Sequence, residues 1–268
     1  MARARKRHVQ GELFGPCGGI RRSRSQPSRK KHKRPGRKPK GVRAGSPHKK
    51  RPEINRHRPV HVVLKVVKAI GSLRKRLMYR ALREATLTVA LREENESTNG
   101  AFRIVHISIQ RTHIHLLVEA DNKTALSRGM QSFQISAAKH LNSAVSVQQK
   151  LERRRRGTVF PDRFHQEVIA TPTQARHALA YVLNNWRKHR EDEGSREART
   201  WNVDPFSTGA LFAGWRERAD EPLLWKWRDT YDPLVVYLPS SWLLAKGWRK
   251  SGRSISFRDV PSQPLVRT

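Results

Sequence analysis

His113 and His115 stand one residue apart inside the run Arg111-Thr112-His113-Ile114-His115-Leu116-Leu117-Val118-Glu119. In a strand, alternate side chains point the same way, so both imidazoles share one face while Ile114, Leu116 and Val118 fill the other. Two imidazoles on a rigid strand can chelate a divalent ion, because the backbone fixes them before the ion arrives. On spacing alone the plainer reading is favoured, a surface strand that happens to carry two histidines, since so short a motif recurs by chance. A second chemical signal is the run Arg153-Arg154-Arg155-Arg156. It reads as an exposed turn or, in a chain this basic, as a phosphate contact.

The chain has 56 Lys and Arg against 22 Asp and Glu, a formal net charge of +34. That excess points to a polyanionic partner, and nucleic acid is the commonest one. An anionic membrane surface fits less well, because no basic amphipathic anchor or lipidation signal is visible. No apolar run approaches the roughly 20 residues of a membrane span, and the N-terminus lacks the apolar core of a secretory signal. Cys17 is the only cysteine, which excludes an intramolecular disulfide and a cysteine-based zinc site. The expected compartment is a reducing cytoplasm.

The elements that must position the histidines follow from periodicity. Residues 1–58 alternate basic clusters with Gly, Pro and Ser and read as a disordered arm that holds phosphate by counterion release. Val60 to Val67 is the first strand, and a helix from Leu73 to about Glu94 has Leu73, Leu77, Leu82, Ala85 and Val89 as its buried stripe, with Tyr79 to one side. Phe102 to Ile109 is the second strand, and Gln110-Arg111-Thr112 is short enough for a hairpin into His113–Glu119. Asp121 or Asn122 caps a helix over about Thr124 to Ala144, with Leu126, Met130, Phe133, Ile135, Ala138 and Leu141 apolar. Phe164 to Ala170 is the fourth strand.

The best-signalled helix comes next. Thr171 is its N-cap, Pro172 suits the first position, and Gln174 completes a capping box. It should run to about Glu191 with Ala175, Ala178, Leu179, Val182 and Trp186 buried. His177, Tyr181 and Asn185, four residues apart, share the adjoining face. Taken singly, Tyr181 reads as a core-edge aromatic and Asn185 as a surface amide, while His177 and His165 read as structural or DNA-contacting. From Trp201 onward the sequence is Trp-rich and punctuated by Pro and Gly, too aromatic for a loose tail. It should wrap the preceding domain, with packing the main task of its aromatics and base stacking a lesser one. Three regions result: 1–58, a domain over 59–194, and an extension over 195–268.

The order strand, helix, strand, strand, helix, strand predicts an α+β fold, a ferredoxin-like antiparallel sheet with packed helices. Here the residues resemble a known family. His113-Ile114-His115-Leu116-Leu117-Val118 is similar to the histidine–hydrophobic–histidine motif of the HUH single-strand nucleases. The strand order and a lone Tyr181 on the following helix resemble the single-tyrosine branch, which comprises insertion-sequence-200-like transposases and REP-associated tyrosine transposases. The resemblance covers about Arg58 to Glu191.

The resemblance implies a metal-assisted transesterification on single-stranded or hairpin DNA, with no nucleotide cofactor. Carried over residue by residue, His113 and His115 would be metal ligands, Asn185 a third ligand, and Tyr181 the nucleophile that forms a 5′-phosphotyrosine. The ion would be Mg²⁺ or Mn²⁺, of which Mn²⁺ suits imidazole better. A homodimer is implied if the chain follows the insertion-sequence members, which exchange tyrosine helices, and a monomer if it follows the REP-associated ones. The sequence departs from the family at Gln110-Arg111-Thr112, where Met-Pro-Asn is common, and at Asn184-Asn185-Trp186, where Asn-Pro-Val is common. Two rivals stay open: a non-catalytic nucleic-acid-binding protein derived from a transposase, and a rolling-circle replication initiator. Convergence of Tyr181 on the histidines is what separates the enzyme from the pure binder.

Overall fold

In the computed structural model, which describes residues 52–95, 101–218 and 232–261, the first strand sorts its side chains by period two. Val60, Val62 and Leu64 of β1 (Val60–Lys65) are buried on one face, and His61, Val63 and Lys65 take the other. The chain continues through α1 (Arg76–Asn95), β2 (Phe102–Ile109), β3 (His113–Ala120), α2 (Lys123–Gln148), β4 (His165–Val168), α3 (Pro172–Lys188) and a short α4 (Trp242–Ala245). The strands pair antiparallel in the order β2-β3-β1-β4. This is the ferredoxin-like α+β arrangement expected from the element order. The hairpin closes through Gln110, whose N–H donates to the His113 carbonyl at 2.9 Å.

Each face of the sheet has its own core. On one side α1 and α2 pack Leu82, Phe133 and Leu141 against Ile104, Ile114, Leu116 and Val118. Gly129 of α2 faces Phe102 so closely that an added Cβ would lie 2.1 Å from the ring, so only glycine admits this approach. On the other side α3 and the C-terminal segment pack Leu179, Val182, Phe212, Trp215, Leu244 and Trp248 around Val105 and Leu117.

Several local expectations change. Leu73 is buried but precedes α1, its N–H donating to the Arg111 carbonyl at 2.9 Å. Tyr79, expected beside the stripe, is in the core, because the Asp232 carbonyl accepts its hydroxyl at 2.7 Å. Ile135 is half exposed: two residues past Phe133, it falls on the opposite side of α2. Ala178 is only half-buried. The fourth strand is shorter than expected, since Phe164 turns into the core and Ile169 donates to Pro59 at 2.8 Å instead. α3 stops at Lys188, ahead of Arg190 with φ 54° in the left-handed region.

The C-terminal segment covers the outer edge of β2, which would otherwise expose an unpaired row of amides. Ile109 donates to Phe206, Thr208 to Ile107, and Tyr237 to Ile104, at 2.8–2.9 Å. Its aromatics mostly pack: Phe206, Phe212, Trp215 and Trp248 are buried, while Trp242 is half exposed. Asp204 is fully buried and grips Arg74 with both oxygens at 2.8 Å. Arg74 also donates to the Ile109 carbonyl and approaches Glu191, which in turn accepts two bonds from Arg111 at 2.6 and 3.0 Å. This network ties the extension, the start of α1, the histidine hairpin and the end of α3 together. In the segment read as a basic arm, Ile54 is buried and Asn55 organises a turn. Most of the arm, with Cys17, and Trp225, Trp227 and Tyr231 lie outside the described residues. No helix among the described residues is long and apolar enough to cross a membrane.

Candidate active site

The period of β3 sets the site. Ile114, Leu116 and Val118 enter the core under α1 and α2, so His113 and His115 face α3. Their rings meet edge to face with centroids 4.7 Å apart. The register pairs Val63 with His115 and His61 with Leu117, which places His61 diagonal to His115 on the same face. The His61 Nε2 and His115 Nδ1 atoms are 3.0 Å apart, and the rings are stacked.

α3 brings its residues from above. The capping box is formed at both bonds, with Thr171 accepting from Gln174 and the Gln174 side chain accepting from Thr171. That start fixes which helix face meets the sheet. Tyr181 packs edge-on against His115 at 5.3 Å between centroids and against His61 at 5.9 Å. Two turns on, His189 packs against His113 at 5.4 Å. Asn185 lies midway on the same helix face, fully buried. The structure thus brings Tyr181 together with His113 and His115, all from one chain, and it sets Asn185 between the two helix contacts. His177 is exposed one turn earlier, outside the cluster.

Burial favours the neutral form of these imidazoles. Burial, with nearby His165, lowers His61 to about 4, and burial, with His189 and Lys65, lowers His113 to about 4. Burial first, then His61, His113, His189 and Lys188, holds His115 well below the ordinary imidazole range. A neutral imidazole keeps the lone pair that a metal needs. Burial also pushes the Tyr181 phenol up and the Lys188 amine down, and the Lys188 Nζ lies 4.9 Å from the Tyr181 ring centroid.

Three polar atoms on His115 and Asn185 are left over. His115 Nε2 and both Asn185 side-chain atoms, Oδ1 and Nδ2, are buried with no hydrogen-bond partner in the protein. Buried orphans of this kind are costly unless a ligand engages them. A fully buried Asn185 is no surface amide. Among the described residues no group of three or more His, Cys, Asp or Glu is arranged to hold a metal. Of the residues on this face, His113, His115 and Asn185 carry groups that could hold one. Beside them opens a cleft of about 330 Å³ lined by Gln110, Arg111, Thr112, His113, His189 and Glu191.

The four arginines divide. Arg155 serves the fold, donating to Asn142, Gly157 and Thr158, and Arg154 donates to the Lys139 carbonyl at 2.6 Å. Arg153 and Arg156 are exposed. Sequence reasoning passed over His61, His189 and Lys188. His61 was visible in principle, because the βαββαβ order makes β1 the neighbour of β3 and period two turns His61 toward the pair. His189 and Lys188 lie at the frayed helix end, where sequence patterns are weakest.

Residues 61–185 match the model of a family described as "Transposase IS200 like". No curated protein sequence matches the chain. Among solved structures, a REP-associated tyrosine transposase bound to a REP hairpin is similar, with 17% identity and TM-score 0.41 over 72% of this chain and 98% of that one. A putative transposase from Deinococcus radiodurans R1 matches with 13% identity and TM-score 0.32, over 50% of this chain and 89% of that one.

Proposed function

We propose, from the premise that this chain is a member of the IS200-like transposase family through residues 61–185, that it cuts and rejoins single-stranded DNA with Tyr181 as nucleophile. The observation that carries the reading is the packing of Tyr181 on His115, 5.3 Å between ring centroids, beside the unpartnered His115 Nε2. A pure binder has no need of that convergence.

Tyr181 Oη attacks phosphorus, the new O–P bond forms as the bond to the 3′ oxygen breaks, and a 5′-phosphotyrosine and a free 3′-hydroxyl result. The phenol proton leaves and the 3′ oxygen gains one, so the step is balanced. The count of phosphate ester bonds is unchanged, so rejoining needs no nucleotide cofactor. Because burial pushes the phenol up, Tyr181 is protonated at neutral pH and must lose its proton as it attacks. The Lys188 Nζ lies 4.9 Å from the centre of its ring. His113, His115 and Asn185 would hold a divalent ion, Mn²⁺ or Mg²⁺, and the unpartnered atoms of His115 and Asn185 with the lowered imidazoles of His113 and His115 fit one. When bound, such an ion polarises the scissile phosphate and offsets charge that grows during attack.

The net charge of +34 supplies the hold on phosphate, with exposed Arg153 and Arg156 as local contributors. Hairpin-forming single strands are the substrate class that the family resemblance implies. The experiment is the double variant His113→Ala with His115→Ala, assayed on a labelled hairpin oligonucleotide with Mn²⁺. Cleavage should fall by at least about 10²–10³-fold. Hairpin binding should stay within a few-fold, since phosphate contacts carry it. Undiminished cleavage by the double variant removes the metal from the account.

A further inference from the structure

We propose that His61 is the positioning residue for His115: its Nε2 accepts the Nδ1–H of His115 and so leaves the Nε2 lone pair of His115 facing the metal. The inference rests on the metal reading above and assigns a task to a residue of β1. The two nitrogens are 3.0 Å apart, a hydrogen-bond distance, and only one of them can carry the shared proton.

The surroundings choose between the two arrangements. If His61 were the donor, His115 would hold its own proton on Nε2, a buried atom with no acceptor in the protein. It would then be a buried unpaired donor and could not ligate. If His115 is the donor, its Nε2 is a bare lone pair, the form a metal binds. His61 then carries its proton on Nδ1, which is not among the buried atoms left without a partner. Metal-bound imidazoles generally give their second N–H to a fixed acceptor, which sets both tautomer and ring orientation.

Position reinforces the assignment. His61 is held by β1 pairing on both sides, opposite Leu117 of β3 and Glu167 of β4. Its acceptor is therefore carried by a central strand rather than a loop. Its ring also packs edge-on against Tyr181 at 5.9 Å, so one side chain touches both the proposed ligand and the proposed nucleophile. Val60, Val62, Val63 and Leu64 show what this strand otherwise selects. A valine at 61 would satisfy the sheet and supply no acceptor.

The test uses the full-length wild type, His61→Gln, His61→Asn and His61→Leu, each first checked for a cooperative unfolding transition. Long-range proton–nitrogen NMR of ¹⁵N-histidine protein without metal reads the tautomer of His115. Paramagnetic resonance of free Mn²⁺ reads the affinity. The wild type should show the proton of His115 on Nδ1. His61→Leu should weaken Mn²⁺ by about 10–100-fold. His61→Gln, whose amide oxygen reaches the place of Nε2, should recover most of that loss, and the shorter Asn should not. A proton on Nε2 in the wild type, or unchanged Mn²⁺ affinity in His61→Leu, overturns the inference alone. A wild type that binds no Mn²⁺ overturns the metal reading and this inference with it.

Discussion

Tyr181→Phe is expected to abolish the covalent protein–DNA adduct and to lower strand cleavage by on the order of 10⁴–10⁶-fold, the scale on which enzymes lose activity when a nucleophile that acts with its partners is removed. The change deletes one hydroxyl and keeps the ring that packs on His115 and His61. Tyr181 is only partly buried, so the fold should lose little stability. Hairpin binding should persist as well, because phosphate contacts elsewhere carry it. The comparison is therefore clean: folding and binding stay, chemistry goes. A Phe variant that still traps labelled DNA covalently would mean that another residue attacks.

The second large effect is on stability. Asp204→Ala should destabilise the protein by about 3–5 kcal/mol, because it leaves the Arg74 guanidinium buried without its carboxylate. Arg74 is held between Asp204, the Ile109 carbonyl and the face of Phe206, so it cannot swing into solvent without opening the core. Glu191 at 3.6 Å offsets part of the charge but already receives Arg111. In a domain of this size that loss lowers the unfolding midpoint by roughly 6–20 °C. Pairing Asp204→Leu with Arg74→Met should recover much of it, since the penalty belongs to the unpaired charge rather than to the lost bond. A midpoint within about 2 °C of wild type in the single variant would show that the C-terminal segment does not secure the hairpin end of the site.

Much of this arrangement was legible in the sequence because it depends on local periodicity. Alternation in Val60–Leu64 and His113–Val118 sets the faces of both central strands, and the capping box of Thr171 and Gln174 sets the phase of α3. Once those faces are fixed, Tyr181 has to meet the histidines. Partnerships between distant residues were not legible. Nothing near Tyr79 announces that Asp232 will accept its hydroxyl, and nothing near Asp204 announces Arg74, 130 positions away. The arginine run shows the same limit, because composition cannot say that Arg155 turns back onto Asn142 while Arg153 stays outside. His61 lay between these cases: its face was readable, but its bond to His115 required the sheet order.

As the proposed nucleophile, Tyr181 should become joined to DNA. The most direct measurement is peptide mapping by mass spectrometry of the full-length wild type after incubation with a hairpin oligonucleotide and Mn²⁺. A single modified peptide is expected, carrying Tyr181 esterified to the 5′ phosphate of the cut strand, with the other product ending in a free 3′-hydroxyl. An adduct on any other residue, or cut strands with no protein attached, would contradict that role for Tyr181.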